Sequence, residues 1–356
     1  MRVIYFTNQP APYQTEFQKA LVNIDLTFVY EHALQGRPKN WAHTLSKNIY
    51  SSGPFSFFKI LKKSNPDIVV MLGFKRLELY VSFLFKIIYS RNVSIIIFSE
   101  TLRSEKSLKF RNSLLIKTYL WFINKFVKLV LCSNYHSLFQ LELLGIPKNK
   151  LKIFNYPIIY NSNFLYQPKS INKKQLKVLF ANRLTSIYKP KEAIKLFEII
   201  KSKSNGAELY IFGQGPMLGE IKKAINSSKI KESIKLFDAV HINDLSKFYH
   251  EFDLLILPNK FGNGNATVME ASLCGVIPFV ELNTCGSKEQ IINRVIGFGH
   301  STIREFTDNL DYLLSLSTEE IMVLKENGRK AFLNRTPQAR AIHFEHILEN
   351  MISNEF

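Results

Sequence analysis

Leu257-Pro258-Asn259-Lys260-Phe261-Gly262-Asn263-Gly264-Asn265-Ala266-Thr267-Val268-Met269-Glu270-Ala271-Ser272-Leu273-Cys274-Gly275-Val276-Ile277-Pro278 is the most informative stretch of the chain. The apolar run 254–257 before it reads as a buried strand, and a Gly/Asn-rich loop follows. A helix opens near Asn265, Gly275 ends it, and 277–280 reads as the next buried strand. Strand, loop, helix and strand in this order build a parallel sheet. The amides and dipole of the helix N-terminus suit phosphate oxygens. Glu270 lies on the first turns, where a carboxylate can accept both hydroxyls of a ribose. The plainer reading of Glu270 is a favourable charge near a helix N-terminus.

The same alternation extends on both sides. Strand 177–181 runs into Asn182-Arg183-Leu184-Thr185, and Lys189-Pro190-Lys191 precedes a helix over 191–201. An Arg and a Lys flanking such a loop can bracket a diphosphate, although loop cations are usually just solvated. Strand 208–212 leads into Phe212-Gly213-Gln214-Gly215-Pro216, a shortened Gly-x-Gly turn. Its glycines either admit a ligand close to the backbone or only make a tight turn. Strand 234–237 and helices over 217–227, 245–250, 287–295, 302–314 and 318–331 complete a doubly wound domain over 175–335. The polar stretch 161–174 reads as a linker. Before it, strands 3–7, 26–30, 68–72, 94–98, 127–132 and 151–154 alternate with helices 13–22, 55–63, 77–89, 108–125 and 136–144, a first domain over 1–165. The amphipathic helix 337–353 has no strand after it, and 336–356 is expected to pack back on the first domain. The fold class is therefore α/β, with two Rossmann-like doubly wound parallel-sheet domains facing across a cleft and ligands at the carboxyl ends of the strands.

Five motifs in order carry a family likeness. Asn182-Arg183-Leu184…Lys189, Phe212-Gly213-Gln214-Gly215-Pro216, Phe237…Val240, Leu257-Pro258 and Glu270-Ala271…Gly275-Val276-Ile277-Pro278 resemble the retaining glycosyltransferase family 4, of glycosyltransferase-B fold. The likeness runs over 175–300 and is looser at Pro10-Ala11-Pro12-Tyr13 and Leu144-Gly145-Ile146-Pro147. It implies that Arg183 and Lys189 hold the diphosphate and stabilise the departing nucleoside diphosphate, replacing a metal ion. It further implies Glu270 on the ribose and main chain near 238–241, Val240 included, on the base. Gly213 and Gly215 would lie against the donor, with amides from Asn265, Ala266 and Thr267 on phosphate and sugar. A nucleotide-sugar, with uridine diphosphate the expected carrier, is then a co-substrate, and neither cofactor nor metal is expected. A front-face transfer with retention needs no covalent nucleophile.

One departure stands out. The family has two glutamates separated by seven residues, and the first falls at Gly262. Asn263 and Asn265 are the substitutes within reach, and the donor sugar stays open. On the acceptor side the loops offer Asn8, Tyr13 and Arg103. Glu100 stands where many relatives have a histidine. It either orients a substrate hydroxyl or is a loop acid, solvated or paired with Arg103.

Composition bounds the alternatives. Of 356 residues 46% are hydrophobic and 21% charged, an ordinary globular balance. Cys132, Cys274 and Cys285 lack the spacing of a metal site. The N-terminus opens directly into a strand, and the best apolar run, 79–89, is too short to span a bilayer and is broken by Lys86. A cytoplasmic protein is expected, peripheral at the inner face of the membrane. Residues 1–170 hold 23 Lys and Arg against 8 Asp and Glu, whereas 171–356 hold 24 against 21. The basic half points to an anionic membrane surface and a glycan or lipid-linked acceptor. Within 106–126, Leu108, Leu115, Tyr119, Phe122 and Phe126 form a core stripe. Phe110, Leu114 and Trp121 fall elsewhere, near Lys106 and Lys117, as in an interfacial helix; otherwise they pack on the helix 77–89. No nucleic-acid motif accompanies the pI of about 9.6. A nucleotide-sugar epimerase of the same architecture and a non-catalytic nucleotide-sugar-binding relative are the other readings.

Overall fold

Continuous runs of β-branched and aromatic residues form the strands, and they are buried on both faces because helices cover both sides of each sheet. The computed structural model describes residues 1–32, 49–74, 76–89, 92–101, 114–159, 169–240, 244–262, 264–282 and 285–353. They form two units, Met1–Pro157 with Pro337–Phe356, and Ile158–Thr336.

The first unit is a parallel sheet in the order β3-β2-β1-β4-β5-β6-β7. Its strands are β1 Arg2–Thr7, β2 Asp25–Tyr30, β3 Ile49–Tyr50, β4 Ile68–Leu72, β5 Ser94–Ser99, β6 Val127–Cys132 and β7 Leu151–Ile153. Helices α2 Pro54–Ser64, α3 Leu77–Ile88, α4 Leu114–Phe126 and α5 Tyr135–Leu144 bury Phe57, Leu61, Leu79, Phe83, Ile123 and Leu141 in one core layer with this sheet. The other layer holds Phe17 of α1 Pro12–Ala20 with Phe344, Leu348 and Met351 of the C-terminal helix Pro337–Ser353. The Phe17 and Phe344 rings meet edge-on at 5.6 Å, and the Val22 and Asn23 amides donate to Glu345 at 2.8 Å.

In the second unit the parallel order is β10-β9-β8-β11-β12-β13. The strands are β8 Lys177–Ala181, β9 Glu208–Phe212, β10 Ile234–Phe237, β11 Leu254–Leu257, β12 Ile277–Glu281 and β13 Phe298–His300. The helices are α6 Pro190–Lys203, α7 Leu218–Ser227, α8 Leu245–Tyr249, α9 Ala266–Leu273, α10 Cys285–Gln290, α11 Ile303–Ser315 and α12 Thr318–Phe332. The doubly wound α/β class read from the sequence is the class found. Two edge strands, β3 and β13, were not anticipated. The helix expected over 287–295 is shorter, and the chain beyond it turns through Arg294 at φ 63°. Of the helix expected over 108–125, the described part begins at Leu114. Cys132 and Cys274 are buried free thiols. No helix among the described residues is long and apolar enough to cross a membrane.

Candidate functional site

Strand order reverses between β8 and β11, and in open parallel sheets such a reversal marks the crevice where ligands bind. The two strands pair only at Val178–Leu254 and Leu179–Leu255. Their last two residues run on without pairing each other, so the sheet opens at its carboxyl edge. The Thr267 hydroxyl at the start of α9 donates to the Ala181 carbonyl at 3.4 Å across that opening.

Both cations of the first motif lie on the loop after β8. Arg183 is exposed, and its Nη2 donates to the Tyr188 hydroxyl at 3.3 Å. Lys189 is left-handed at φ 46° and stands at the N-cap of α6. A side chain in that conformation costs about 1 to 2 kcal/mol, and such strain clusters where function holds it. Gly213 and Gly215 have a packing task. A Cβ on Gly213 would stand 2.0 Å from the Asn182 carbonyl oxygen, and one on Gly215 2.4 Å from that of Leu184. The Leu184 amide donates to the Gln214 carbonyl at 2.9 Å, and the Met217 amide to the Leu184 carbonyl at 3.0 Å. The Gly-x-Gly turn is thus pressed flat on the cationic loop.

Glu270, on α9, is buried. Burial pushes its carboxyl up to about 7, against the pull of hydrogen bonds from Tyr249 and the Ile159 amide. The Tyr249 hydroxyl donates to Oε2 at 2.9 Å. Asn265 is the α9 N-cap, yet its side chain does not cap the helix. Oδ1 accepts from Asn259 Nδ2 at 3.2 Å, and Nδ2 donates to Ser287 Oγ at 3.1 Å. Within the described residues the Ala266 and Thr267 amides therefore keep no side-chain cap. Gly262 carries the same message: a Cβ there would lie 2.4 Å from Asn265 Oδ1. Asn265 occupies the space a larger residue at position 262 would need. Asn263 and Arg103 lie outside the described residues, as do Lys106, Leu108 and Phe110.

Polar atoms around the opening are left over. Asn182 Nδ2, Thr185 Oγ1 and Asn259 Oδ1 are buried without a partner among the described residues. Such atoms cost about 1 to 3 kcal/mol each unless water or ligand meets them. Val240 is half-buried on the loop after β10, the strand whose last residue, Phe237, stacks its exposed ring on Phe212 at 4.7 Å. His300, at the carboxyl end of β13, was missed by the sequence reading because it closes a strand too short to show periodicity. Burial lowers its imidazole to about 4, with Glu305 opposing and Lys189 adding to the effect.

The first sheet has its own reversal, between β1 and β4. Arg76, after β4, donates to Asn8 Oδ1 and to Glu31 Oε2, and its guanidinium lies 5.5 Å over the Phe6 ring. Asn8 is thereby tied to an ion pair that the sequence did not reveal. Tyr13 meets Tyr156 edge-on at 5.8 Å, and the Tyr156 hydroxyl donates to Glu100 at 3.0 Å. Glu100 has this tyrosine as its partner. Tyr5, Thr7, Tyr13, Gln14 and Tyr156 line a cavity of about 20 Å³, room for a single water.

Residues 162–331 match the family model of the group 1 glycosyl transferases. The second unit is a domain of that family. Its motifs at Arg183, Gly213 and Glu270 all lie inside the matched stretch. Solved structures extend the likeness to the whole chain. HepE of Anabaena, in complex with UDP-glucose, matches at TM-score 0.74 with 13% identity, over 98% of this chain and 100% of its own. The lipopolysaccharide outer core galactosyltransferase WaaB, in apo form, matches at 0.72 with 14% identity over 100% of both chains. A glycosyltransferase from Rickettsia africae matches at 0.69 with 17% identity over 99% of both. These likenesses give the fold, the glycosyltransferase-B type, around the group 1 domain. No curated protein matches the sequence.

Proposed function

We propose that this protein is a metal-independent, retaining glycosyltransferase of family 4 type. It transfers a sugar from a nucleotide-sugar, a uridine diphosphate sugar, to a lipid-linked glycan at the cytoplasmic face of the membrane, in cell-surface polysaccharide synthesis. One observation carries the reading. The loop bearing Arg183 and Lys189, the uncapped start of α9 and three unpartnered polar atoms meet at the opening between β8 and β11. Supporting it are the group 1 match and the UDP-glucose complex of HepE; WaaB, a lipopolysaccharide galactosyltransferase, supports the acceptor class.

Arg183 and Lys189 neutralise charge on the departing diphosphate, Arg by paired bonds and Lys as a point charge. The Ala266 and Thr267 amides take phosphate oxygen. Glu270 takes the ribose hydroxyls, which are donors able to keep its carboxylate ionised. Asn8, Tyr13 and Glu100 stand on the acceptor side. Retention follows if leaving phosphate oxygen assists the acceptor hydroxyl on the same face. The fit of Asn265 into the space at Gly262 favours a second reading, a nucleotide-sugar-binding protein without turnover.

Thermal shift against uridine, guanosine and adenosine diphosphates and their sugar conjugates, with and without EDTA, tests the proposal. A ligand at 100 times its Kd stabilises by about 2.7 kcal/mol. A selective, EDTA-insensitive rise in melting temperature is expected for uridine conjugates. No rise with any nucleotide removes the reading, and a rise without measurable sugar release selects the non-catalytic one.

A further inference from the structure

In the first unit the polar residues of α3, LELYVSFLFKII, fall on one side, Glu78, Ser82 and Lys86, and the described residues leave much of its apolar side uncovered. Leu79, Phe83 and Phe85 face the core. Leu77, Tyr80, Leu84, Ile87 and Ile88 share the opposite face, between 45% and 66% exposed. At 100° per residue these five fall within one stripe of about a third of the helix circumference. An exposed stripe of that size marks an interaction site.

Its neighbours supply the charge. α2 packs beside α3, and its exposed face holds Phe55, Lys59, Lys62 and Lys63. Lys62 Nζ lies 5.3 Å over the ring of Tyr89, at the end of α3, which joins the basic face to the apolar one. On the other side Phe126 of α4 stacks on Phe83 at 5.4 Å. There Trp121 is exposed, with Lys125 Nζ 4.7 Å over its ring. The three helices carry one acidic residue, Glu78, and it is buried. Every exposed charge on them is positive.

We propose that the α2–α3–α4 face docks on an anionic lipid surface, α3 lying in the interface with its outer stripe among the acyl chains and the α2 lysines on lipid phosphates. The inference rests on the membrane clause of the function proposed above, not on its chemistry. Charge decides the occupant: a second copy would bring the same uncompensated lysines against themselves, whereas a negative leaflet complements them. Geometry decides the mode. Twelve residues make a helix of about 18 Å, too short for a hydrocarbon core of about 30 Å, so α3 lies in the surface and does not span it. The sequence placed the interfacial helix at 106–126. Trp121 does belong to this face, but α3 supplies its apolar centre.

Co-sedimentation with vesicles of phosphatidylcholine alone, and of phosphatidylcholine with phosphatidylglycerol in equal parts, tests the proposal. The intact protein should bind the anionic vesicles, more weakly as salt rises, and bind the neutral ones poorly. Leu84→Glu with Ile87→Glu should abolish binding. Lys59→Gln, Lys62→Gln and Lys63→Gln together should weaken it on the order of a hundredfold, from about fivefold per lysine. All five side chains are exposed, so melting temperatures should stay near that of the parent and confirm folding. Wild-type binding by the glutamate variant overturns the proposal. So does a concentration-dependent dimer of the parent that the glutamates dissolve, with no vesicle binding. Nucleotide thermal shift is read separately, so failure here leaves the transferase reading standing, and the reverse holds.

Discussion

Glu270→Gln separates a working carboxylate from a structural one, because it moves stability and affinity in different ways. In the folded chain burial raises Glu270 from 4.5 to about 7. Between those values the folded state keeps a proton that the unfolded chain has released. Stability therefore falls as pH rises across the window, by an amount on the order of 3 kcal/mol that is fully lost above about pH 7. Gln does not titrate. Its carbonyl oxygen can accept from both Tyr249 and the Ile159 amide, but its NH₂ is left without a partner, at about 1 to 3 kcal/mol. The variant should be less stable than the parent at pH 4.5 and equal or more stable at pH 8. Since 1 kcal/mol moves the melting temperature of a domain this size by about 2 to 4 °C, the difference between the proteins should swing by about 6 to 12 °C. Calorimetric melts at pH 4.5, 6, 7 and 8 read the swing, and a constant difference refutes the buried-acid reasoning. Titration with a UDP-sugar at pH 8 reads the ribose role. Losing hydrogen bonds to a charged acceptor should weaken binding roughly 10- to 150-fold, and equal affinity contradicts that role.

Lys189→Gly should relieve the left-handed backbone and raise the melting temperature by about 2 to 4 °C while lowering kcat; a lower melting temperature or unchanged kcat counts against the assignment. Arg183→Ala should lower kcat for sugar transfer about 10²- to 10³-fold and leave the melting temperature within about 1 °C, since Arg183 is exposed and, among the described residues, bonds only Tyr188. Unchanged turnover would take it out of the site. Gly213→Ala must displace backbone from 2.0 Å, so it should cost at least about 3 kcal/mol and lose nucleotide-induced stabilisation. Normal folding of that variant, checked by a denaturant titration, would show the loop contact to be soft.

The parallel sheets were legible because central strands such as Ser94–Ser99 and Leu254–Leu257 are buried on both faces and so read as unbroken apolar runs. The edge strands Ile49–Tyr50 and Phe298–His300 are too short to show any period. Strand–loop–helix order puts Arg183 and Lys189 on the loop after one strand and Glu270 on the helix that follows another, without any structure. What they touch was not legible. Arg76 reaches Glu31 and Asn8 from 45 and 68 residues away, and Tyr249 reaches Glu270 from 21. Such pairings depend on strand order, which periodicity does not encode. The outward face of α3 was hidden for another reason. Periodicity turns the apolar side of a helix inward, whereas α3 buries Glu78 and Ser82 and leaves Leu77, Tyr80 and Leu84 bare.

The contact of the Gly213–Gly215 turn with Asn182–Leu184 bears on how this protein can be recombined. Two loops that interlock backbone to backbone are inherited as a single cassette, although 28 residues of chain lie between Leu184 and Gly213. A chimaera joined inside α6 would pair a cationic loop from one parent with a glycine turn from the other. It would succeed only where both parents keep the same carbonyl positions. Crossovers before β8 or after α7 keep the cassette whole, and those are the junctions at which this domain can be recombined without first breaking the fold.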